Sequence, residues 1–414
     1  MKINPFKGIR PLPEKVKNIA SRPYDVLSSE EAREEFQKNP ESFLQVVKPE
    51  ITLPIATDHY EPRVYQAAKD NFEKLLKEGV FIQDQKDSYY IYELVMNGRS
   101  QNGIVGCASV QDYFDNKIKK HELTRPVKEK DRKNHVRVAM MNAEPVFFAY
   151  KAVKSLDNMV GQIKQQPPVY DFKADDGVIH RFWQVDDPAL VSQIEKEFEK
   201  MPATYVADGH HRTAAAALVG KDLQKENKGH NGKEPYNYFL AVHFPDNQLQ
   251  IIDYNRVVKD LDGLSSDAFI EKLKASFEVV EKGSQIHKPT RLHEMSMYLE
   301  GNWYQLLAKP HTYDDADPIK ALDVTILSES ILKPVLNIVD LRTDERIDFV
   351  GGIRGLEELE KRVDSGAMKV AFALYPVSIQ QLIDIADSGA IMPPKTTWFE
   401  PKLRSGLVVY KLED

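Results

Sequence analysis

The stretch that decides the fold reads Tyr205-Val206-Ala207-Asp208-Gly209-His210-His211-Arg212-Thr213-Ala214-Ala215-Ala216. The residues Thr204–Ala207 are β-branched, aromatic or apolar, and they predict a short buried strand that runs directly into Asp208-Gly209. The residues from His210 to Val219 include four consecutive alanines, which are the strongest helix formers. We therefore predict a strand, a tight turn and the N-terminus of a helix in direct succession.

The predicted turn has the features of an anion-binding site. Backbone N–H groups at the start of a helix lack partners, and the positive end of the helix dipole favours an anion there. Gly209 lets the backbone approach a ligand closely, and Arg212 offers a bidentate donor that suits phosphate. In the alternative interpretation Asp208 only caps the helix and the histidines face solvent. The candidate residues of this turn are Asp208, Gly209, His210, His211, Arg212 and Thr213.

A zinc site is not expected at this turn. Two adjacent histidines point to different sides of a helix, and the sequence lacks the spacing of four residues that places two histidines on one face. The metal ligands of the chain therefore stay open at this point.

Helix and strand patterns alternate on both sides of this turn, which predicts a mixed α/β (α+β) fold. The clearest patterns predict helices at Val64–Val80, Pro188–Lys200 and Ser378–Ser388, and strands at Tyr89–Met96, Gly103–Val110, Pro145–Tyr150, His180–Val185 and Lys369–Pro376. The first two of these strands are predicted to join through Asn97-Gly98. Another hairpin is predicted between Tyr238–Phe244 and Leu249–Tyr254, across Asp246-Asn247.

The composition is that of an ordinary folded protein. The chain has 414 residues, of which 42% are hydrophobic and 29% charged, enough for two or three domains of roughly 150 residues. Its formal net charge of −7 argues against a general nucleic-acid-binding face. The single cysteine, Cys107, excludes a disulfide framework and a cysteine-based zinc cluster. Met1–Val16 lacks the apolar segment of a signal peptide, and no apolar stretch approaches ~20 residues, so we expect a cytoplasmic protein without membrane contact.

Several separated motifs resemble one superfamily. The run Asp208–Arg212 after a buried strand resembles the signature of kinases in the ParB/sulfiredoxin superfamily. The chain as a whole resembles a long-chain branch of it that is catalogued as a domain of unknown function. The further matching motifs are Arg22–Val26, His121–Thr124, Lys130–Arg132, Leu322–Thr325 and Met392–Lys402. The resemblance implies a ParB/sulfiredoxin-like catalytic core at 116–260, between an N-terminal α+β region at 1–115 and a C-terminal α/β region at 261–414.

What the resemblance implies for activity is phosphoryl transfer to the hydroxyl of free L-serine, with Mg²⁺. The donor is ADP or ATP in short-chain enzymes and inorganic pyrophosphate in characterised relatives of the long-chain branch. Glu122 matches the glutamate that serves as general base in the short-chain serine kinases, and it would accept the proton of the serine hydroxyl. Sulfiredoxin chemistry is not expected, because His210 stands where those enzymes need a cysteine. The implied catalytic residues are Glu122, Asp208, His211 and Arg212.

Two basic segments are candidates for polyphosphate binding. Between Lys117 and Lys133, eight lysines and arginines stand against three acidic residues, a local net charge of +5. Such a run can attract polyphosphates, although most such runs are only solvated surfaces. In the alternative interpretation of Glu122 its carboxylate only pairs with Lys120 or Arg125. The candidate residues are Lys130 and Arg132 in this segment and Lys395, Thr396, Lys402, Ser405 and Gly406 near the C-terminus. In the latter group Thr396 and Ser405 replace the serine and threonine of the branch pattern, so both hydroxyls are kept.

The sequence as a whole favours a serine kinase that uses pyrophosphate. No Walker A sequence and no protein-kinase glycine loop is present, and pyrophosphate needs only cations, amides and Mg²⁺. Asp25 is a candidate for binding the substrate ammonium or a metal, although Pro-Tyr-Asp is also a plain turn. The alternatives are an ATP- or ADP-dependent serine kinase and a non-catalytic sensor of anions or nucleotides that uses the same pocket. The oligomeric state stays open, with a homodimer as one option.

Overall fold

The computed structural model describes residues 1–413, which fold into two compact units. The first unit comprises Met1–Leu249 and the chain from Pro401 onward, and the second comprises Gln250–Glu400. The helices and sheets of the two units confirm the predicted mixed α/β class. None of the helices within residues 1–413 combines the length and the apolarity that a membrane span requires.

The described helices and strands carry the following labels. The helices are α1 Val16–Ile19, α2 Ser29–Lys38, α3 Leu44–Val47, α4 Pro62–Lys77, α5 Val110–Phe114, α6 Pro126–Ala139, α7 Lys154–Ile163, α8 Pro188–Glu199, α9 His210–Glu226, α10 Ser266–Leu273, α11 Asp323–Leu327, α12 Glu357–Asp364 and α13 Ile379–Ser388. The strands of the first 250 residues are β1 Ile3–Asn4, β2 Ile9–Pro11, β3 Phe81–Gln83, β4 Tyr89–Met96, β5 Arg99–Ser109, β6 Ile118–Lys119, β7 Met141–Asn142, β8 Val146–Tyr150, β9 Tyr170–Lys173, β10 Ile179–Val185, β11 Thr204–Asp208 and β12 Tyr238–Pro245. The later strands are β13 Ile251–Ile252, β14 Tyr254–Val258, β15 Phe277–Gly283, β16 Glu294–Leu299, β17 Asn302–Ala308, β18 Ile347–Gly351, β19 Val370–Leu374, β20 Trp398–Phe399 and β21 Tyr410–Lys411.

A mixed sheet forms the centre of the first unit. Within the described residues it has nine strands, eight of them in the order β6-β11-β8-β12-β5-β4-β10-β9, while β1 pairs with β5. The neighbours β6 and β11 are parallel, as are β8 and β12, and the other pairs are antiparallel. Because β5 pairs with β12, residues on both sides of the predicted boundary at 115/116 belong to one sheet. The bounds of the two compact units also differ from those of the three predicted regions.

The hairpin between β4 and β5 is confirmed. Met96 pairs with Arg99, so only Asn97 and Gly98 form the turn, and both have a positive φ, of 52° and 78°. Two positive φ angles in succession give the turn whose twist matches that of the paired strands.

The predicted hairpin across Asp246-Asn247 is wrong. β12 pairs with β5 on one side and β8 on the other, so neither edge of this strand is left for the residues that follow. Instead β13 pairs with β20, and β14 pairs with β18 and β19. Residues Asp246–Gln248 form a short 3₁₀ turn through which the chain leaves the first unit.

Helices cover the sheet of the first unit and position its edge. Leu156 of α7 and Phe198 of α8 are buried with Phe148 of β8 in one apolar cluster. Burying a side chain of this size contributes about 1.5–3 kcal/mol, so this layer holds β8 firmly. The helix α6 packs on both α9 and α4, and α9 begins directly after the turn that follows β11.

The second unit is built on an antiparallel sheet. Its strand order is β15-β17-β16-β19-β14-β18, with six strands among the described residues. Leu359 of α12 and Trp303 of β17 are fully buried in its core together with Val257 of β14. This core lies entirely within Gln250–Glu400, in agreement with a compact unit.

Candidate active site

The predicted site residues of the first unit meet at one edge of the nine-stranded sheet. The strands β6 and β11 are parallel, so the segment after β6, residues 120–125, and the turn after β11 follow the same edge. The strand β8 is antiparallel to β11, which brings Glu144, two residues before β8, to that edge as well. Sites in α/β proteins commonly lie beyond the carboxyl ends of parallel strands. The topology therefore joins Glu122, Glu144 and the run Asp208–Arg212.

The turn after β11 leaves the N-terminus of α9 without a side-chain cap. The register shifts between Val206 and Asp208 at the end of the strand, and Gly209 then takes φ 90° and ψ 38° before the helix begins at His210. Gly209, not Asp208, occupies the cap position, and no side chain bonds to the first amides. These N–H groups have no acceptor within the helix, which suits an anion.

Gly209 tolerates no side chain in this conformation. A Cβ atom there would lie 3.0 Å from Arg212 Nε, and the left-handed φ itself disfavours any other residue. We expect Gly209→Ala to lower the free energy of unfolding by about 1–2 kcal/mol, measured by urea denaturation. The control is Gly161→Ala within α7, where a Cβ meets nothing within 4 Å and φ is not left-handed. That substitution is expected to raise the stability by about 0.5–1 kcal/mol, and equal effects at both sites would contradict this account.

Arg212 is a buried cation surrounded by carboxylates. Its Nη1 donates to the Pro145 carbonyl at 3.0 Å and its Nη2 to Asp208 Oδ2 at 3.2 Å, while Nε has no partner. Burial acts to lower the pKa of Arg212, but Glu144, Asp25 and Asp208 outweigh it and raise the pKa above its ordinary value. The guanidinium thus stays charged, with one N–H not yet used.

Asp208 is shared between two cations. Its Oδ1 lies 3.4 Å from the Lys402 ammonium, and its Oδ2 accepts from Arg212. Lys402 and Asp208 are both about three-quarters buried or more, so the interaction is only partly screened by solvent. The structure therefore brings the predicted residues Asp208, Arg212 and Lys402 into one charged group.

Glu144 is a site residue that the sequence analysis missed. Its Oε1 accepts hydrogen bonds from the Tyr24 backbone N–H at 3.1 Å and from the Ser405 hydroxyl at 3.0 Å. Burial raises the pKa of Glu144, and Arg212 and Arg132 oppose that shift. No local pattern marks this residue, because its partners come from positions 24, 132, 212 and 405 of the chain.

Arg132 supports this group from the side of α6. Its guanidinium pairs with Asp131 at 2.8 Å and lies 4.2 Å from the centre of the Tyr24 ring. The Tyr65 hydroxyl donates to Asp131 Oδ1 at 3.1 Å. These contacts fix Tyr24, whose neighbour Asp25 carries an exposed carboxylate at the site.

A pair of buried histidines lies next to Glu122. The rings of His121 and His210 meet edge to face at 4.4 Å between centroids, and His210 Nδ1 is 3.9 Å from Glu122 Oε2. Both nitrogens of His121 and Nε2 of His210 lack hydrogen-bond partners. Burial is the main cause that lowers the pKa of each histidine, to about 4 for His121. Both imidazoles are therefore neutral near pH 7 and do not compete with a cation for Glu122.

The low pKa of His121 makes the stability depend on pH. The unfolded chain protonates this histidine near pH 6.5, whereas the folded state resists protonation down to about pH 4. The free energy of unfolding therefore falls as the pH drops from 7 to 4, by about 3 kcal/mol for this group. We expect His121→Phe to flatten that dependence, measured by urea denaturation at several pH values. The control is the exposed His59→Phe, and parallel curves for His121→Phe and the wild-type protein would contradict the assignment.

His211 ties the Glu122 loop to the start of α9. The Arg125 backbone N–H donates to His211 Nε2 at 3.0 Å. Burial lowers the pKa of His211, and Arg125 adds to the effect, in agreement with a neutral ring that accepts at Nε2. This contact fixes the loop on which Glu122 lies. The side chain of Glu122 is 39% exposed.

Other predicted site residues have different surroundings. The Thr213 hydroxyl donates to the Gly209 carbonyl at 2.9 Å within α9, and Lys130 is exposed on α6. Gly406 has φ 84°, and a Cβ there would lie 2.7 Å from the Phe43 ring, so this glycine is required for packing. Lys395 and Thr396 belong to the second unit, and the Thr396 hydroxyl donates to the Pro393 carbonyl at 2.6 Å. Their part in donor binding stays a prediction.

The carboxylates of the site are not grouped as a metal-binding cluster. Within residues 1–413, no group of three or more His, Cys, Asp or Glu side chains is arranged to hold one. Mg²⁺ that accompanies phosphates usually takes one or two protein carboxylates and fills its other positions with phosphate oxygens and water. Asp25, whose side chain is exposed, fits that limited role.

Known proteins match this chain through a family profile and through solved structures. The profile of a family described as a protein of unknown function, DUF1015, matches residues 3–325. Among curated proteins none matches this chain. A solved structure of a free serine kinase mutant with AMP aligns at 13% identity and TM-score 0.39, over 75% of this chain and 91% of that one. A conserved hypothetical protein from Pyrococcus furiosus aligns at 15% identity and TM-score 0.35, over 75% of this chain and 95% of that one.

Proposed function

The chain belongs to the DUF1015 family, and we propose from its site that it transfers a phosphoryl group from an anionic donor to the hydroxyl of free L-serine. The observation that carries the proposal is the junction of three groups at one sheet edge. They are the carboxylate of Glu122, the uncapped N-terminus of α9 and the buried guanidinium of Arg212. Phosphoryl transfer requires a base near the acceptor and fixed positive charge around the transferred group.

The donor that this arrangement favours is inorganic pyrophosphate. The first amides of α9 and the unused Nε–H of Arg212 can donate hydrogen bonds to phosphate oxygens, and Lys402 adds a cation beside them. None of these contacts requires a nucleoside. Mg²⁺ would neutralise the donor and be held mainly by its phosphate oxygens, with Asp25 as a protein ligand or as the partner of the serine ammonium.

The reaction balances with one base and one leaving group. The serine hydroxyl oxygen forms a bond to the terminal phosphorus, its proton passes to Glu122, and the bridging P–O bond breaks to release inorganic phosphate. Arg212 would neutralise the negative charge that develops on the transferred group. His211 contributes as a positioning residue, because its ring holds the loop that carries Glu122.

The experiment that tests this function compares donors and acceptors. The purified full chain is incubated with Mg²⁺, L-serine and either pyrophosphate, ADP or ATP, and phosphoserine is measured by mass spectrometry. We expect product with pyrophosphate, and parallel reactions with L-threonine and L-homoserine define the acceptor. If product formed only with ADP or ATP, the phosphoryl donor would be that nucleotide and not pyrophosphate. Tight pyrophosphate binding without product from any donor would favour the non-catalytic sensor.

A further inference from the structure

The second unit contains a buried arginine that no carboxylate neutralises. Arg256 of β14 is 1% exposed, and its guanidinium donates to the backbone carbonyls of Tyr254 and Lys395. Its Nε has no hydrogen-bond partner, and no aspartate or glutamate of residues 1–413 forms an ion pair with it. Burial lowers the pKa of Arg256 to about 9. A buried charge of this kind is costly unless a ligand supplies the opposite charge.

A buried carboxylate with an unused oxygen lines a small cavity of the second unit together with Arg256. Asp323 at the start of α11 is 3% exposed, and its Oδ1 accepts from the His293 backbone N–H at 2.9 Å and lies 3.4 Å from His293 Nδ1. Its Oδ2 has no hydrogen-bond partner. Arg256 and Asp323 both line this cavity, together with Thr396, but they do not form an ion pair with each other. Two opposite charges thus face one space, each with hydrogen-bonding capacity left over.

This inner cavity adjoins a larger cleft of the second unit. Leu292, Tyr375 and Gln381 line both spaces, and the cleft has a volume of about 530 Å³. Clefts of roughly 300–1,000 Å³ are typical of sites for small molecules. The inner cavity alone holds only about 10 Å³, so a ligand would occupy it together with the adjoining cleft.

We propose that this cleft binds the zwitterion of a small α-amino acid, with its carboxylate on Arg256 and its ammonium on Asp323. A guanidinium is the side chain best suited to a carboxylate, and the free Asp323 oxygen can accept from an ammonium. An inorganic anion satisfies only the arginine, and a simple amine satisfies only the aspartate. The site goes beyond the phosphoryl transfer proposed for the first unit and does not depend on it.

Titration calorimetry with matched ligands tests this site without altering the protein. The full chain is titrated with L-alanine, which lacks the hydroxyl of an acceptor, and with propionate and ethylamine, which each lack one of its two charges. We expect L-alanine to bind about tenfold or more tightly than either analogue, because each analogue leaves either the Arg256 guanidinium or the Asp323 oxygen Oδ2 without a ligand group. Absence of L-alanine binding, or equal binding of propionate or of inorganic phosphate, would overturn the proposal.

Two variants locate the binding site. Asp323→Asn and Arg256→Lys are each expected to weaken L-alanine binding by about tenfold or more. Asp267→Asn, an exposed position on α10 of the same unit, is the matched control and should bind as the wild-type chain does. Circular dichroism confirms that each variant is folded. Undiminished L-alanine binding in Asp323→Asn would place the ligand elsewhere and refute the proposal, whatever the result of the phosphoserine assay.

Discussion

Glu122→Gln is expected to lower kcat for phosphoserine formation by roughly 10²–10⁴ while the chain stays folded. The amide keeps the size of the carboxylate but cannot accept the proton of the serine hydroxyl. Glu122 lies on a loop with its side chain 39% exposed, so the substitution leaves the apolar core unchanged. Because the proton moves in the transition state, we expect KM for L-serine to change much less than kcat. Steady-state kinetics measures kcat and KM, and circular dichroism shows whether the variant is folded.

The control for this substitution is Glu14→Gln. Glu14 is exposed and lies outside the sheet edge that carries the site, so its loss should leave turnover unchanged. If Glu122→Gln retained normal turnover, Glu122 would not be the base. The interpretation of this residue as a partner of a surface cation would then gain support.

Arg212→Met is expected to lower the free energy of unfolding by about 3–5 kcal/mol. The substitution keeps much of the side-chain volume but leaves the buried Glu144 and the partly buried Asp208 without their central cation. The Pro145 carbonyl also loses its donor. Urea denaturation at pH 7 measures the loss, which exceeds that of an ordinary surface substitution several-fold.

Two further variants separate charge from packing in this prediction. Arg125→Met removes an exposed arginine near the same edge and should change the stability by less than about 0.5 kcal/mol. Adding Glu144→Gln to Arg212→Met should restore part of the lost stability, because it removes one of the carboxylates left unneutralised. Additive losses in the double variant would show that the two side chains do not interact.

The strand, turn and helix at the centre of the site follow from the sequence. The residues Thr204–Ala207 form most of β11, and α9 begins at His210, where the alanine-rich stretch predicts a helix. Local composition suffices here because the strand is short and apolar and because glycine alone tolerates the left-handed turn. The positions of Asp208, His210 and Arg212 around that turn follow directly.

The contacts of this turn with distant segments could not be predicted in the same way. The basic segment gives no indication of α6, because Pro126–Ala139 is mostly polar on every side. This helix is stabilised by its packing on α9 and α4. Glu144 enters the site through pairing of β8 with β11 and through Ser405. The hairpin after β12 fails for a similar reason, because both edges of that strand pair with strands distant in sequence.

The most direct test of the central claim is a ³¹P NMR time course of the wild-type chain with L-serine, Mg²⁺ and pyrophosphate. We predict that the pyrophosphate signal declines while phosphoserine and inorganic phosphate grow in equal amounts, and that Glu122→Gln slows all three changes together. Pyrophosphate that stays intact, or that yields only inorganic phosphate at a rate independent of L-serine, would contradict it.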